Sequence, residues 1–189
     1  MKLDIGSFRS EPVWVAGHNV DDWHIADRLA HWLFDETSLT RRLKDHCGGD
    51  FRVRVASQKW GRPLRNERIV LGIRDDEFAL VRQVHLLCGA QPTVFARTVI
   101  PARTLTGREK RLAALGSRPL GAYLFSGKGM VRRGVEFARI TAEQRCFAEA
   151  TRDLIPKPDE IWGRRSLFAA GDKPLLVSEI FLPGILETA

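Results

Sequence analysis

The chain is poor in cysteine, has no long apolar run, and carries none of the short signatures that announce a common cofactor or nucleophile. Its three cysteines, Cys47, Cys88 and Cys146, are far apart and odd in number. No CxxC pair occurs, so neither a zinc site nor a disulfide framework is suggested, and free thiols in a reducing compartment are expected. No stretch approaches the roughly 18 consecutive apolar residues of a membrane-crossing helix. The opening residues, MKLDIGSFRSEP, lack the apolar core of a secretory signal. A cytoplasmic protein without a membrane span is the expectation. GKGMVRRG (127–134) is Gly-rich but matches neither a Walker A loop nor the GxGxxG fingerprint. Ser166, in GRRSLF, has no GxSxG elbow around it. His18, His24 and His31 lack metal-ligand spacing, and His85 alternates away from its charged neighbour Arg82, so no metal site is expected. Segment 21–46 has the outline of a helix-turn-helix, yet Arg41, Arg42 and Lys44 are interrupted by Leu43 and Asp45. Too few residues suited to reading bases remain for DNA recognition.

What is present fits one well-formed core. At 189 residues with 44% hydrophobic content, a single domain spanning 1–189 accounts for the chain. The net charge of +7 rests on 30 Lys and Arg spread along the whole length. A solvated basic surface explains that spread. The excess also raises nucleic acid, anionic lipid or an anionic small substrate as partners, and the spread weakens the nucleic-acid case.

The pattern of elements is mixed. DDWHIADRLAHWLF (21–34) opens on two Asp residues and sets Trp23, Ala26, Leu29, Ala30 and Leu33 on one helical stripe. SLTRRLKDHCGG (38–49) reads as a second helix, capped by Ser38 and stopped by Gly48 and Gly49. Strands are expected at 51–60, 68–74, 78–88, 93–101, 131–140, 161–170 and 174–182, with 78–88 and 93–101 forming a hairpin. A helical interlude at 106–125 breaks at Gly116 and restarts at Pro119. Hairpin-linked strands with helices grouped between them predict an α+β fold, mainly an antiparallel sheet with helices over an enclosed site.

Three charges stand in otherwise apolar strands. In LLVSEIFLP (175–183), Glu179 shares a face with Leu175, Val177 and Phe181. In FALVRQVHLL (78–87), Arg82 shares a face with Phe78, Leu80, Val84 and Leu86. These two could be a structural ion pair, since buried charges are usually paired. They could instead be a site, with Arg82 holding an anion and Glu179 handling a proton or hydroxyl, though the ion pair is the plainer reading of the residues alone. Arg97, in VFARTVIP (94–101), falls on the face of Phe95 and Val99, and a rim position is its plainest explanation.

Five blocks, WLFDETSLTRRL, VRQVHLLCGAQPTVFARTVIP, LGSRPLGAYLF, IWGRRSLF and GDKPLLVSEIFLP, together resemble the chorismate–pyruvate lyase family, in that family's order and over about residues 30–183. The resemblance implies a carbon–oxygen lyase, a monomer without metal or organic cofactor, converting chorismate to 4-hydroxybenzoate and pyruvate for ubiquinone synthesis. By motif position, Arg82 matches the arginine that binds the ring carboxylate, and Glu179 the glutamate facing the ring hydroxyl and reacting carbons. Leu39 and Leu120 match positions whose backbone contacts the ligand, and Arg97 matches an arginine near the site entrance. Two departures stand out: a longer, more helical 141–160, and Gln83 where Glu is expected. The same fold occurs in ligand-sensing domains of bacterial transcription regulators. That is the alternative reading, and it expects a separate DNA-binding domain for which the pattern leaves no room.

Overall fold

The period-two stretches become strands of one sheet. The computed structural model describes residues 10–17, 20, 23–125 and 129–187. Its strands are β1 (Val15–Ala16), β2 (Phe51–Gly61), β3 (Ala79–Cys88), β4 (Gln91–Pro101), β5 (Val131–Thr141), β6 (Glu160–Ala170) and β7 (Lys173–Phe181). They lie in the order β1-β5-β6-β7-β4-β3-β2, and every neighbouring pair is antiparallel. β3 and β4 form the expected hairpin, turning at Gly89, whose φ of +58° suits glycine. The α+β expectation holds.

Helices cover both faces, because both faces of the central strands are apolar. On the front face, α1 (Asp27–Leu33) and α2 (Leu39–His46) bury Trp32, Leu33, Leu39 and Leu43 against Val84, Leu86, Ala96 and Phe181. A 3-10 turn at Gly107–Ala114 and α4 (Leu120–Leu124) bury Leu112, Leu120 and Leu124 against Leu80, Ile100 and Val177. These are two separate front-face cores with a seam between them. On the back face, α3 (Arg65–Leu71) sets Leu71 against Val99 and Leu176, and α5 (Arg145–Ala150) sets Phe147 against Phe95 and Ile180. A short α6 (Gly184–Glu187) follows β7. No described helix is long and apolar enough to cross a membrane.

Several local expectations need correction. Residues 68–74 do not form a strand: most of them belong to α3 and its cap. The run of Ile69, Val70 and Leu71 suggested β structure, but capping decided otherwise. Glu67 accepts from the Leu64 amide at 2.8 Å, and the distant Glu11 carboxylate accepts from the Arg65 and Asn66 amides at 2.8 and 2.9 Å. Gly72, at φ +59°, closes the other end. The first helix begins at Asp27 rather than at the two Asp residues, which lie outside the described residues. The 141–160 segment contains only one short helix, and it packs on the back of the sheet.

The free-thiol expectation fails for two cysteines. Cys47 and Cys88 form a disulfide, and only Cys146 is free, buried, with its thiol pushed up to about 12 by burial. The two partners are 41 residues apart in sequence, a separation that no short motif would flag. Folding brings them together: Cys47 ends α2 just before β2, and β2 pairs with β3 so that Phe51 faces Cys88. The bond pins the end of α2 to the sheet. Closing a loop of this length stabilises by about 4 kcal/mol in the chain-entropy model. Reducing the bond, or replacing both cysteines by Ser, should therefore cost roughly 2–4 kcal/mol in urea unfolding. A reduced protein with an unchanged midpoint would show that the bond constrains nothing, and Cys146→Ser serves as the control.

Candidate active site

The seam between the two front-face cores is a narrow cavity of about 40 Å³, partly open to solvent. Its floor comes from β3, β4 and β7 through Arg82, Val84, Ala96, Thr98, Val177 and Glu179. Its roof comes from the starts of α2 and α4, with Leu39 and Thr40 facing Leu120 and Gly121. Phe125, Arg132 and Phe168 close one side. Of the expected site residues, Arg82, Glu179, Leu39 and Leu120 are brought together here.

Sheet register explains how the charges sit. Arg82 lies opposite Thr98 on β4, and Thr98 lies opposite Val177 on β7. Glu179 is two residues further along β7, opposite Ala96 on one side and Arg164 of β6 on the other. Arg82 and Glu179 thus share a face but have a strand between them, and they are not an ion pair. The partner of Glu179 is Arg164, whose Nε donates to Oε2 at 2.5 Å. Arg164 is 2% exposed, and its Nη1 also donates to the carbonyls of Trp32, at 3.3 Å, and Asp35. The same guanidinium thereby joins the Glu179 carboxylate to the end of α1.

Arg82 is also 2% exposed, yet no carboxylate among the described residues pairs with it. Its Nη2 donates to the carbonyls of Gly116, at 2.8 Å, and Arg118, at 3.3 Å, while Nε is buried without a partner. Burial pushes its guanidinium below the usual value. Removing a cation from water without a counter-charge is costly, so such a group is suited to receive an anion. Three of the four buried side-chain atoms without a partner among the described residues lie on this front face: Arg82 Nε, Arg132 Nε and Ser166 Oγ. Leu39 and Leu120 are each the first residue of a helix, so their amides fall among the donors a helix leaves unused at its start.

Arg97 is not part of this cavity. Because Ala96 and Thr98 face it, Arg97 must face the back, where Nε and Nη2 donate to the two Glu67 oxygens at 2.7 and 3.0 Å. The expected place at the site entrance is overturned by that alternation. Gln83 likewise lies on the back, donating to Glu149 at 2.5 Å. The sequence reading missed Arg164 and Arg132. Arg164 was findable, since alternation in IWGRRSLF puts it on one face with Trp162 and Ser166. Its pairing with Glu179 needed the register.

An antiparallel sheet roofed by helices over a cation-lined cavity defines the class of α+β domain. A GntR-family transcriptional regulator from Bacillus cereus has this fold, at 13% identity and a TM-score of 0.53, over 71% of this chain and 92% of that one. So has the ligand-binding domain of a GntR-family regulator from Bordetella bronchiseptica, at 19% identity and 0.52, over 71% of this chain and 86% of that one. These likenesses concern the fold alone. The sequence goes further: the family model for chorismate lyase matches residues 10–189. A protein of Methylococcus capsulatus named "Probable chorismate pyruvate-lyase" is 46% identical over 159 residues, 84% of this chain and 97% of that one. One of the same name from Nitrosospira multiformis is 38% identical over 175 residues, covering 90% and 97%. The chain belongs to the chorismate lyase family.

The two roof helices meet at Gly121. A Cβ there would clash with the Thr40 hydroxyl and lie 3.0 Å from its Cβ. Gly121→Ala should push α4 off α2 and cost about 1–3 kcal/mol, the usual scale of overpacking. Hydrogen exchange should speed up at amides of Leu39–His46 and Leu120–Leu124 and stay unchanged in β4 and β7. Unaltered exchange in both helices would mean that Thr40 turns aside at no cost.

Proposed function

We infer that this chain eliminates pyruvate from chorismate to give 4-hydroxybenzoate, an aromatic acid that feeds ubiquinone synthesis. The observation that carries the reading is Arg82: a buried guanidinium without a carboxylate partner among the described residues, facing a cavity whose lining includes the carboxylate Glu179. Chorismate brings the missing carboxylate. In this reading Arg82 and the amides of Leu39 and Leu120 hold the ring carboxylate in a dry clamp, where charge-assisted hydrogen bonds are strongest. Ring and leaving group then extend toward Glu179, two residues further along β7.

The reaction breaks the C4–H bond and the C3–O ether bond and forms the double bond that completes the aromatic ring. Glu179 orients the C4 hydroxyl and accepts the C4 proton. The enolpyruvate leaves with the ether oxygen, gains a proton and tautomerises to pyruvate. Aromatisation supplies the driving force, so the protein needs mainly to position the ring and move one proton. Arg164 holds the Glu179 carboxylate in place for that task. We extend the reading to one domain acting as a monomer in the cytoplasm. In its support, a dianionic substrate does not cross a bilayer unaided. The Cys47–Cys88 bond runs against a reducing compartment.

Chelator-treated protein incubated with chorismate should release 4-hydroxybenzoate and pyruvate in equal amounts, followed by ultraviolet absorbance and a coupled pyruvate assay. Binding of 4-hydroxybenzoate with no turnover would instead make the chain a sensor of the kind seen in the regulators that share its fold.

Glu179→Gln keeps the shape and removes the proton acceptor. Turnover should fall by about 10²-fold or more, the scale of a general base, with 4-hydroxybenzoate affinity changed far less. Stability should fall too, by several kcal/mol, because the buried Arg164 loses its counter-charge. A variant with near-normal turnover would remove Glu179 from the chemistry, whatever its melting temperature.

A further inference from the structure

Arg132 is a second cation at the cavity for which the clamp described above has no use. It stands on β5, opposite Phe168 of β6, and lines the cavity with Phe125 and Phe168. Its guanidinium lies 5.4 Å from the Phe125 ring centre and 5.2 Å from that of Phe168, within cation–π range of both. Nη1 donates to the Glu36 carbonyl at 2.8 Å, and Nε is buried without a partner. No carboxylate among the described residues is within ion-pair distance of it; the cavity's Glu179 is taken by Arg164. Burial lowers its pKa below the usual arginine value.

Position in the sheet gives this cation a meaning. In the strand order, β7 lies midway between β3 and β5, two steps from each. Arg82 on β3 and Arg132 on β5 therefore lie on opposite sides of β7, level by register with Val177 and Leu175, and Glu179 stands further along the same strand face. Four strand spacings put their backbones about 19 Å apart. Two extended arginine side chains reaching inward narrow that gap to the length of a small molecule. A ligand spanning it needs two anionic ends with its reactive centre between them, over the middle strand.

We propose that Arg132 binds the second carboxylate of the substrate, the one on the departing enolpyruvyl group, and so selects a dicarboxylate over a monocarboxylate. The proposal rests on the reading of the site given above, since chorismate carries one carboxylate on the ring and one beyond the C3 ether oxygen. With the ring carboxylate on Arg82, the enolpyruvyl carboxylate points to the β5 side. The free Nε and the guanidinium edge meet it there, beside the aromatic pair. The product 4-hydroxybenzoate has no group to reach Arg132. Substrate therefore makes a contact that product does not, and the leaving pyruvate takes that contact away with it.

Arg132→Met keeps the unbranched stem between the two rings and removes the charge; Arg132→Lys keeps the charge and loses the planar fork. In Arg132→Met, kcat/KM for chorismate should fall by about 10²-fold, the scale of losing one partner of a desolvated charge pair. Its affinity for 4-hydroxybenzoate should stay within about threefold of wild type, and Arg132→Lys should recover part of the loss. Thermal melts of both variants identify any that fail to fold, and the folded one is used. Equal losses for chorismate and 4-hydroxybenzoate would overturn the proposal, since deformation of the cavity would then be the cause. An unchanged kcat/KM would overturn it as well. Should the wild-type protein prove inactive, calorimetric binding of chorismate against 4-hydroxybenzoate still separates the two ideas. Selective loss of chorismate binding in Arg132→Met would keep the second-carboxylate contact while the lyase reading fell, and no such selectivity would end both.

Discussion

The bond from Arg164 Nε to Glu179 Oε2, at 2.5 Å, is the constraint on which the front face depends. A guanidinium that is 2% exposed has to be compensated, and here its donors are divided. One holds the carboxylate of β7; another reaches the carbonyls of Trp32 and Asp35 where α1 ends. Because β6 and β7 are hydrogen-bonded neighbours, the pair is a cross-strand pair with little freedom to separate. The carboxylate is therefore placed by the sheet itself, and one wall of the cavity is placed by the same arginine. Without Arg164, Glu179 would still face inward and α1 would keep its apolar packing, but the hydrogen bond that fixes the carboxylate and the polar tie from β6 to the end of α1 would be lost.

The two faces of the sheet treat charge differently. On the back, Arg97 pairs with Glu67, Arg165 with Glu136, and Gln83 with Glu149. Those partners come from α3, β5 and α5, and they close the account of buried charge on that side. On the front, among the described residues, one carboxylate lines the cavity beside several guanidinium groups, and it is paired with Arg164. The excess positive charge is local to the cavity. The chain's net charge of +7 says little about it, since many surface arginines are engaged with Asp and Glu, as Arg54 is with Asp153 and Arg139 with Glu160. Function on this sheet follows from which charges are left without partners, more than from how many there are.

Alternation made Arg82 and Glu179 legible in the sequence, because period two assigns each residue a face without knowledge of any neighbour. It equally assigned Arg97 to the face of Phe95 and Val99, and that geometric reading was the correct one; the placement at the entrance came from family likeness and gave way to it. Pairing was not legible. Whether Arg82 meets Glu179, or Arg164 does, depends on strand order and register, which are set by contacts between segments far apart in the chain. The same reason hid the Cys47–Cys88 bond, whose partners meet only after β2 has paired with β3. The α3 helix was misread for a related cause. Its start is capped by Glu11, a residue more than fifty positions away that no local window includes.

The roof over the cavity is made of pieces too short to be stable alone. α2 has eight residues and α4 five, well below the roughly 12–15 needed for a marginal isolated helix. Each is held at its rear by burial in its own core: Leu39 and Leu43 in one, Leu120 and Leu124 in the other. The disulfide fixes the end of α2, and α4 leans on α2 where Gly121 meets Thr40. What remains least supported is the pair of helix starts, which line the cavity together with Arg82. On the reading proposed here, a bound ring carboxylate joins the two starts to each other and to the sheet at once. Ligand affinity and closure of the roof are then one free energy, because the anion adds a polar contact between the two cores to the packing of Gly121 on Thr40.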